Sequence, residues 1–400
     1  MLAVPTTNFT LVHSATRLAV VTETWPPEIN GVANTISRLV EGLRQGGRYH
    51  IQLIRPRQHE RESAANSHDN HGFQEHLVNG LSLPFYKEVR LGFPQYNLLK
   101  RLWKKQRPDI VQIVTEGPLG YSAMKAAKKL NIPTISDFHT NFDQYSRYYR
   151  LSGFFNLAKR YLRHVHNQTL VTLVPTRELQ QQLTASGYEK LGLLERGIDT
   201  QLFNPQRRNL ALRAQLGIQP QQLLVGLVTR MAQEKNLDLA FQAFRAIQKV
   251  VPDARFLLVG DGPERKRLQA QYPDALFVGM QTGAALAEHY AISDLFLYPS
   301  MSETFGNVIL EAMASGLPVV TFDYAAAREY IHNGVNGMKA PFNDSQTFIQ
   351  ASVQLAQDAA LRQRLGFAAY ETASGLGWDQ VVEHLHQTIQ SVLRDTQSRR

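Results

Sequence analysis

Cysteine is absent from all 400 residues. That excludes a disulfide scaffold, a thiolate nucleophile and any thiolate-held metal, and it fits a reducing compartment. No stretch approaches the roughly 18 uninterrupted apolar residues that a spanning helix needs. The N-terminal "MLAVPTTNFTLVHSATR" has no basic region followed by an apolar core, so no secretory signal is expected. The sequons at Asn8, Asn167 and Asn343 then read as chance matches. D-x-D does not occur, no histidine pair has zincin spacing, and there is no Walker-type lysine loop. "GDGPER" departs from G-x-G-x-x-G. These gaps speak against a P-loop ATPase and a dinucleotide enzyme, and nothing calls for a metal or another cofactor.

The composition itself, 43% hydrophobic and 19% charged, is that of a globular chain, and its length suits two domains. An excess of 43 Lys+Arg over 34 Asp+Glu, formally +9, points either to an anionic partner or simply to a solubilising charge. Apolar strands alternate with amphipathic helices. "RLAVVTE" (Arg17–Glu23) is followed by the loop "TWPPEING" and a helix in which Val32, Ile36, Leu39, Val40 and Leu43 share one face. "YHIQLIRP" follows as a strand, and the polar, His-rich Gln58–Asn79 reads as a loop. "PDIVQIV", "PTISDFH" and "LVTLVPT" are further strands, the first two preceded by basic helices, and Thr176 is placed to cap the helix "RELQQQLTASGY". After a Gly/Asp/Asn/Pro-rich connection at Arg196–Asn209 the pattern restarts with "LLVGLVTRMAQEKN", and it ends in an amphipathic helix, Trp378–Asp395. The fold expected is α/β, with two doubly wound parallel-sheet domains. Ligands of such sheets bind at the carboxyl ends of the strands.

The polar residues of interest follow strands. "SETFGNVILEAMASGLPVV" (Ser302–Val320) puts Glu303 after the strand "DLFLYPS", and a helix is expected from Phe305 or Gly306 to about Ala314. The first amides of that helix, near Gly306, Asn307 and Val308, form an anion site, and Gly306 permits close backbone approach. Glu311 lies one turn past Asn307. A diphosphate on the amides leaves one carboxylate for each flanking sugar, which suits a nucleotide-sugar; otherwise Glu303 is a cap and Glu311 a solvated helix residue. Arg230 and Lys235 in "TRMAQEKN" are cations at a strand end, able to neutralise a diphosphate or merely exposed. Gly31 stands at another helix start. "SDFHTNF" sets Asp137, His139 and Asn141 at a strand end, where His139 bonds a sugar hydroxyl, takes up a proton, or is structural.

The E-x7-E pair Glu303/Glu311, "TRMAQEKN", "ING" after the first strand and "HTNF" at a strand end together resemble the retaining family-4 glycosyltransferases of the GT-B fold. The resemblance runs from about Arg17 to the terminal helix. "TETWPPEINGV" and "HTNFDQYSRYY" are similar to the bacterial branch with GDP-mannose-dependent α-mannosyltransferases and sulfoquinovosyl-diacylglycerol-type synthases. It implies two Rossmann-like domains facing across a cleft, an acceptor domain at 1–195 and a nucleotide-sugar domain at 196–377, with a helix at 378–400 returning to the first. It also implies that Arg230 and Lys235 hold the donor diphosphate, assisted by Gly31 and the Gly306–Val308 amides. Glu303 would bind the transferred sugar, Glu311 the ribose, and His139 would lie beside that sugar. Transfer would be metal-independent and retaining, by a front-face route in which the leaving phosphate helps deprotonate the acceptor. One departure is "ERGIDTQLF", where the family often has Asn-Gly; Arg196 there either approaches a phosphate or reflects subfamily drift.

Donor and acceptor stay open. UDP-glucose and GDP-mannose both fit, and an isomerase of the nucleotide-sugar or a non-catalytic binder is the reading from another class. Tyr145–Asn167 interleaves aromatics with Arg147, Arg150, Lys159, Arg160 and Arg163. It suits a helix on an anionic membrane surface, a nucleic-acid groove, or a surface helix packed inward. The expectation is a lipid acceptor such as diacylglycerol or a glycolipid, without nucleic acid, a soluble or polysaccharide acceptor being the alternative. The location expected is cytoplasmic and peripheral on the inner membrane face.

Overall fold

Strands buried on both faces carry apolar runs without alternation, and this chain builds its sheets from such runs. The computed structural model describes residues 15–28, 30–59, 62–63, 72–83, 86–139 and 152–398. The first sheet uses β1 (Thr16–Val21), β2 (Tyr49–Pro56), β3 (Phe73–Val78), β6 (Ile110–Ile113), β7 (Thr134–Asp137), β8 (Val171–Val174) and β9 (Leu191–Leu193), in the order β3-β2-β1-β6-β7-β8-β9. A small antiparallel ribbon, β4 (Gly80–Leu83) with β5 (Tyr86–Gly92), stands beside it in the sequence. The second sheet uses β10 (Leu224–Val228), β11 (Arg255–Val259), β12 (Leu276–Gly279), β13 (Leu295–Tyr298), β14 (Val319–Phe322) and β15 (Gly337–Ala340), in the order β12-β11-β10-β13-β14-β15. Neighbours pair in parallel, Leu18 opposite Ile51 and Ile110, and Val225 opposite Phe256 and Leu295.

Among the described residues, those up to Asp137, with Gln168–Val171 and from His386 onward, form one compact unit; Phe138–Asn167 and Thr172–Leu385 form the other. In the first, the helix Gly31–Gln45 buries Ala33, Ile36, Leu39, Val40 and Leu43. In the second, Phe241, Phe244 and Phe256 pack ring against ring in the core beside β10. The stretch Gln58–Asn79, expected to be a loop, contains β3. Its sequence FQEHLV has too few apolar residues to read as a buried strand, yet an edge position pairs only one side and tolerates that mixture. It runs parallel to β2, Ile51 opposite Phe73.

The last helix, Trp378–Ser398, carries residues of both units. From its second part, His386 Nδ1 lies 2.8 Å from the Tyr49 hydroxyl, and Leu385, Ile389 and Val392 are buried along the helix. No helix among the described residues is long and apolar enough to cross a membrane.

Where this helix begins, the chain is tight. Ile198 N–H donates to Leu376 O at 2.8 Å, and a Cβ on Gly197 would meet Trp378 Cα at 2.7 Å and its nitrogen at 2.8 Å. Backbone cannot step aside as a flexible side chain can, so Gly197→Ala should cost about 1–3 kcal/mol in urea unfolding. Gly375→Ala, whose Cβ would have only Thr372 O at 3.6 Å, should stay within about 0.5 kcal/mol of the parent. Equal stability of the two variants would show that the contact at Trp378 relaxes freely.

Candidate active site

In an open parallel sheet the crevice lies where the strand order reverses, and in the second sheet that is between β10 and β13. The loops that follow these two strands carry the sequence-derived cations and the first acid. After β10 come buried Thr229 and exposed Arg230, then the short 3-10 turn Gln233–Lys235. Asn236, at φ 53°, ends that turn and starts the helix Leu237–Gln248. After β13 come Ser300, Ser302 and Glu303.

Lys235 Nζ donates to Glu303 Oε1 at 2.5 Å and to the Ser302 carbonyl at 3.3 Å. The Tyr298 hydroxyl donates to the same Oε1, as does Ser300 Oγ at 2.7 Å. Tyr324 OH donates to the Ser300 carbonyl at 2.9 Å. The Lys235 and Glu303 side chains are only 13% and 12% exposed. Burial alone pulls the ammonium down, but the charge and hydrogen bond of Glu303, with Tyr324 and Glu234, hold its pKa above the ordinary lysine value. Burial, then Glu303, pushes the Tyr298 phenol well up, so it remains a donor. An ammonium has three N–H donors, and among the described residues two of them are used. Glu303 Oε2 likewise accepts nothing among the described residues, so one ammonium proton and one carboxylate oxygen remain for a ligand.

Gly306 turns the chain at φ 95°, a conformation that strains any residue with a Cβ, and it is the N-cap of the helix Asn307–Ala314. No side chain caps this end, and among the described residues nothing accepts from the amides of Gly306, Asn307 and Val308. Their positive end faces the loop of Glu303, whose Cγ would lie 3.5 Å from a Cβ at Gly306. Glu311, one turn on, accepts from the Tyr290 hydroxyl at 2.8 Å through Oε2. Burial raises its pKa from 4.5 to about 7, against the lowering effect of that hydrogen bond.

His139, two residues past β7, is half-buried. Its backbone carbonyl accepts from Thr304 Oγ1 at 3.2 Å, which ties it to the turn after Glu303. Its Nδ1 lies 2.9 Å from a guanidinium nitrogen of buried Arg196. Thus His139, Lys235, Glu303 and the amides of Gly306–Val308 belong to one connected constellation, with Arg230 in the Lys235 loop and Glu311 on the helix behind. Gly31 belongs to the other unit. It opens its helix as expected from the sequence, but Asn30 Oδ1 already accepts from the amides of Val32 and Ala33 at 3.1 and 2.8 Å. Asn141 and residues 145–151 lie outside the described residues. No group of three or more His, Asp or Glu among the described residues is placed to hold a metal ion.

Sequence reasoning missed Tyr298, Ser300 and Tyr290, and it gave Arg196 no place beside His139. The two tyrosines look like core aromatics, but a buried phenol needs a hydrogen-bond partner, and each has one of the two acids.

The charge state of Glu311 has a measurable consequence. A folded pKa of about 7 against 4.5 means that the folded chain holds this proton more tightly. Its contribution to stability is full below about 4.5 and is lost as pH rises through 7. Glu311→Gln keeps an acceptor for Tyr290 without the titration. In urea unfolding of the ligand-free protein, the variant should gain on the parent between pH 4.5 and 8, by up to about 3 kcal/mol. A gap that stays constant over this range would place the Glu311 pKa at its ordinary value.

Residues 29–202 match the family described as Glycosyltransferase Family 4, and residues 222–358 match Glycosyl transferases group 1. A GDP-mannose-dependent alpha-mannosyltransferase of Mycobacterium tuberculosis is 32% identical, over 92% of this chain and 95% of its own. The alpha-monoglucosyldiacylglycerol synthase of Acholeplasma laidlawii is 26% identical, over 86% of this chain and 88% of its own. Among solved structures, Anabaena HepE in complex with UDP and glucose superposes with a TM-score of 0.72 at 18% identity, covering 94% of this chain and 100% of that one. The two parallel Rossmann-like sheets are thus those of a GT-B fold. The chain belongs to glycosyltransferase family 4, enzymes that transfer a sugar from a nucleotide-sugar donor.

Proposed function

We propose that this enzyme moves a hexose from GDP-mannose or UDP-glucose to a hydroxyl of a membrane lipid, diacylglycerol or a glycolipid, with retention of configuration and without a metal ion. One observation carries the reading. Glu303 spends Oε1 on Lys235, Tyr298 and Ser300 and keeps Oε2 for a sugar hydroxyl, next to a helix start whose amides suit a phosphate. Arg230, the remaining N–H of Lys235 and those amides would balance a diphosphate as it leaves. This is the electrostatic work that a metal does in other transferases. Glu311 would meet the ribose. The relative from M. tuberculosis is named for GDP-mannose, and HepE was crystallised with UDP and glucose, which supports both donors.

The lipid acceptor is supported by the name of the A. laidlawii relative and by the helix Ser152–Asn167. Leu157 and Tyr161, four residues apart on one face, are 61% and 37% exposed, beside exposed Lys159, Arg160 and Arg163. Apolar side chains left in water next to cations suit a peripheral seat on an anionic inner membrane face. The purified protein should therefore bind anionic vesicles at low salt, and reversing the charges of Lys159 and Arg160 should weaken both this binding and transfer to lipid. Activity on lipid that is indifferent to that reversal would remove the membrane role of this helix.

The donor is tested by thermal-shift and hydrolysis screening against UDP-, GDP- and ADP-sugars, with GDP-mannose and UDP-glucose expected to stabilise the protein most. Glu303→Ala and Lys235→Ala should each lower turnover at least tenfold, about 1.4 kcal/mol or more of transition-state stabilisation. Circular dichroism of each variant separates this loss from unfolding, since either change leaves a mostly buried charge alone. Near-parental rates in a folded variant would mean that the site lies elsewhere.

A further inference from the structure

His139 and Arg196 are 57 residues apart in sequence, and their side chains meet at 2.9 Å, Arg196 Nη2 to His139 Nδ1. A guanidinium is always charged and has donors only. The ring nitrogen facing it must therefore be the acceptor, with a lone pair and no proton, which leaves the imidazole hydrogen on Nε2. Protonating Nδ1 would delete the hydrogen bond and set two cations in contact inside a mostly buried pair. Arg196 itself is only 7% exposed. The chain fixes it there, because Ile198, two residues on, is bridged to Gly377. The Thr304 hydroxyl holds the histidine backbone from the Glu303 side.

We propose that Arg196 is a positioning residue that keeps His139 as a neutral, Nε2-protonated hydrogen-bond donor, so that His139 serves the sugar site by donation and takes no part as a base. This rests on the glycosyl-transfer reading above. The nearby cation also withdraws electron density from the ring, which makes Nε2–H a better donor to a sugar oxygen. Burial, then Arg196 and His166, which face the ring from the connection after β9 and from the helix Ser152–Asn167, all push the imidazole pKa well below its ordinary value. Among the described residues of these elements, no carboxylate acts on it. Proton removal from the acceptor hydroxyl consequently falls to a group other than His139.

The direct test is nitrogen NMR of the histidines in the full chain, His139 being assigned by His139→Gln. From pH 8 to 5.5 the parent should show His139 in one neutral tautomer, Nε2 protonated and Nδ1 bare. In Arg196→Met the ring should lose that fixed tautomer and populate both neutral forms, while burial still holds its pKa below the ordinary value. Arg196→Lys, which keeps a charged donor, should restore the parental pattern, and it serves in place of the Met variant if the latter fails to fold: its His139 must then keep Nε2 protonated and Nδ1 bare to pH 5.5. In kinetics, the ratio of Arg196→Met to parent kcat/KM should lie below one and stay constant from pH 8 to 5.5, because the ring loses its fixed donor but not its neutral state. Taking the ratio removes the titration of Glu311, which both proteins share. A parental His139 that titrates near 6.5, or a Met variant that keeps the parental tautomer, overturns the proposal. Because the NMR readout needs no substrate, it still decides the pairing if every nucleotide-sugar fails to bind, an outcome that would refute the glycosyl-transfer reading alone.

Discussion

A carboxylate withdrawn from water keeps its charge only where donors meet it, and at Glu303 three of them converge on one oxygen. The rest of the site depends on that convergence. β13 ends so that Tyr298 and Ser300 point to the acid, the loop after β10 brings Lys235 across, and the strand order makes these two loops neighbours. With Oε1 committed to the fold, the position of Oε2 is no longer a matter of side-chain freedom. The group is fixed before any ligand arrives, which is the condition under which hydrogen bonding discriminates between stereoisomeric hydroxyls.

The site groups sit in different electrostatic surroundings, set by burial together with the nearest neighbour. Glu303 faces an ammonium. Glu311 has a similar tyrosine but, among the described residues, no paired cation, and burial raises its pKa to about 7. His139 is kept neutral by burial and by the guanidinium it faces. Three titratable groups in one constellation thus work in three different ways, although sequence alone makes them look like a uniform set of polar strand-end residues. The open amides of Gly306–Val308 complete the arrangement with positive potential that does not titrate at all.

The sequence showed most of this fold because parallel strands are apolar on both faces: "RLAVV", "LLVGLV" and "DLFLY" have no other comfortable place in water. It failed at β3, where FQEHLV is an edge strand and burial no longer dictates composition. The acids and cations of the second unit were legible because strand-end position and spacing are local properties. What was not legible were the partnerships. Whether Tyr298 aims its hydroxyl at Glu303 depends on a rotamer and a loop path, and whether Arg196 meets His139 depends on how segments 57 residues apart are packed. A residue that departs from a family pattern, as Arg196 does, reads as drift until its neighbour is seen.

The terminal helix has a bearing on how the molecule is made. Tyr49 sits at the start of β2, and its hydroxyl partner His386 follows 337 positions later. The first unit therefore takes part of its covering from a helix made long after β2, and a ribosome must add those 337 positions before Tyr49 can meet its partner. The second unit holds a contiguous run, Thr172–Leu385, and can condense while the first still waits.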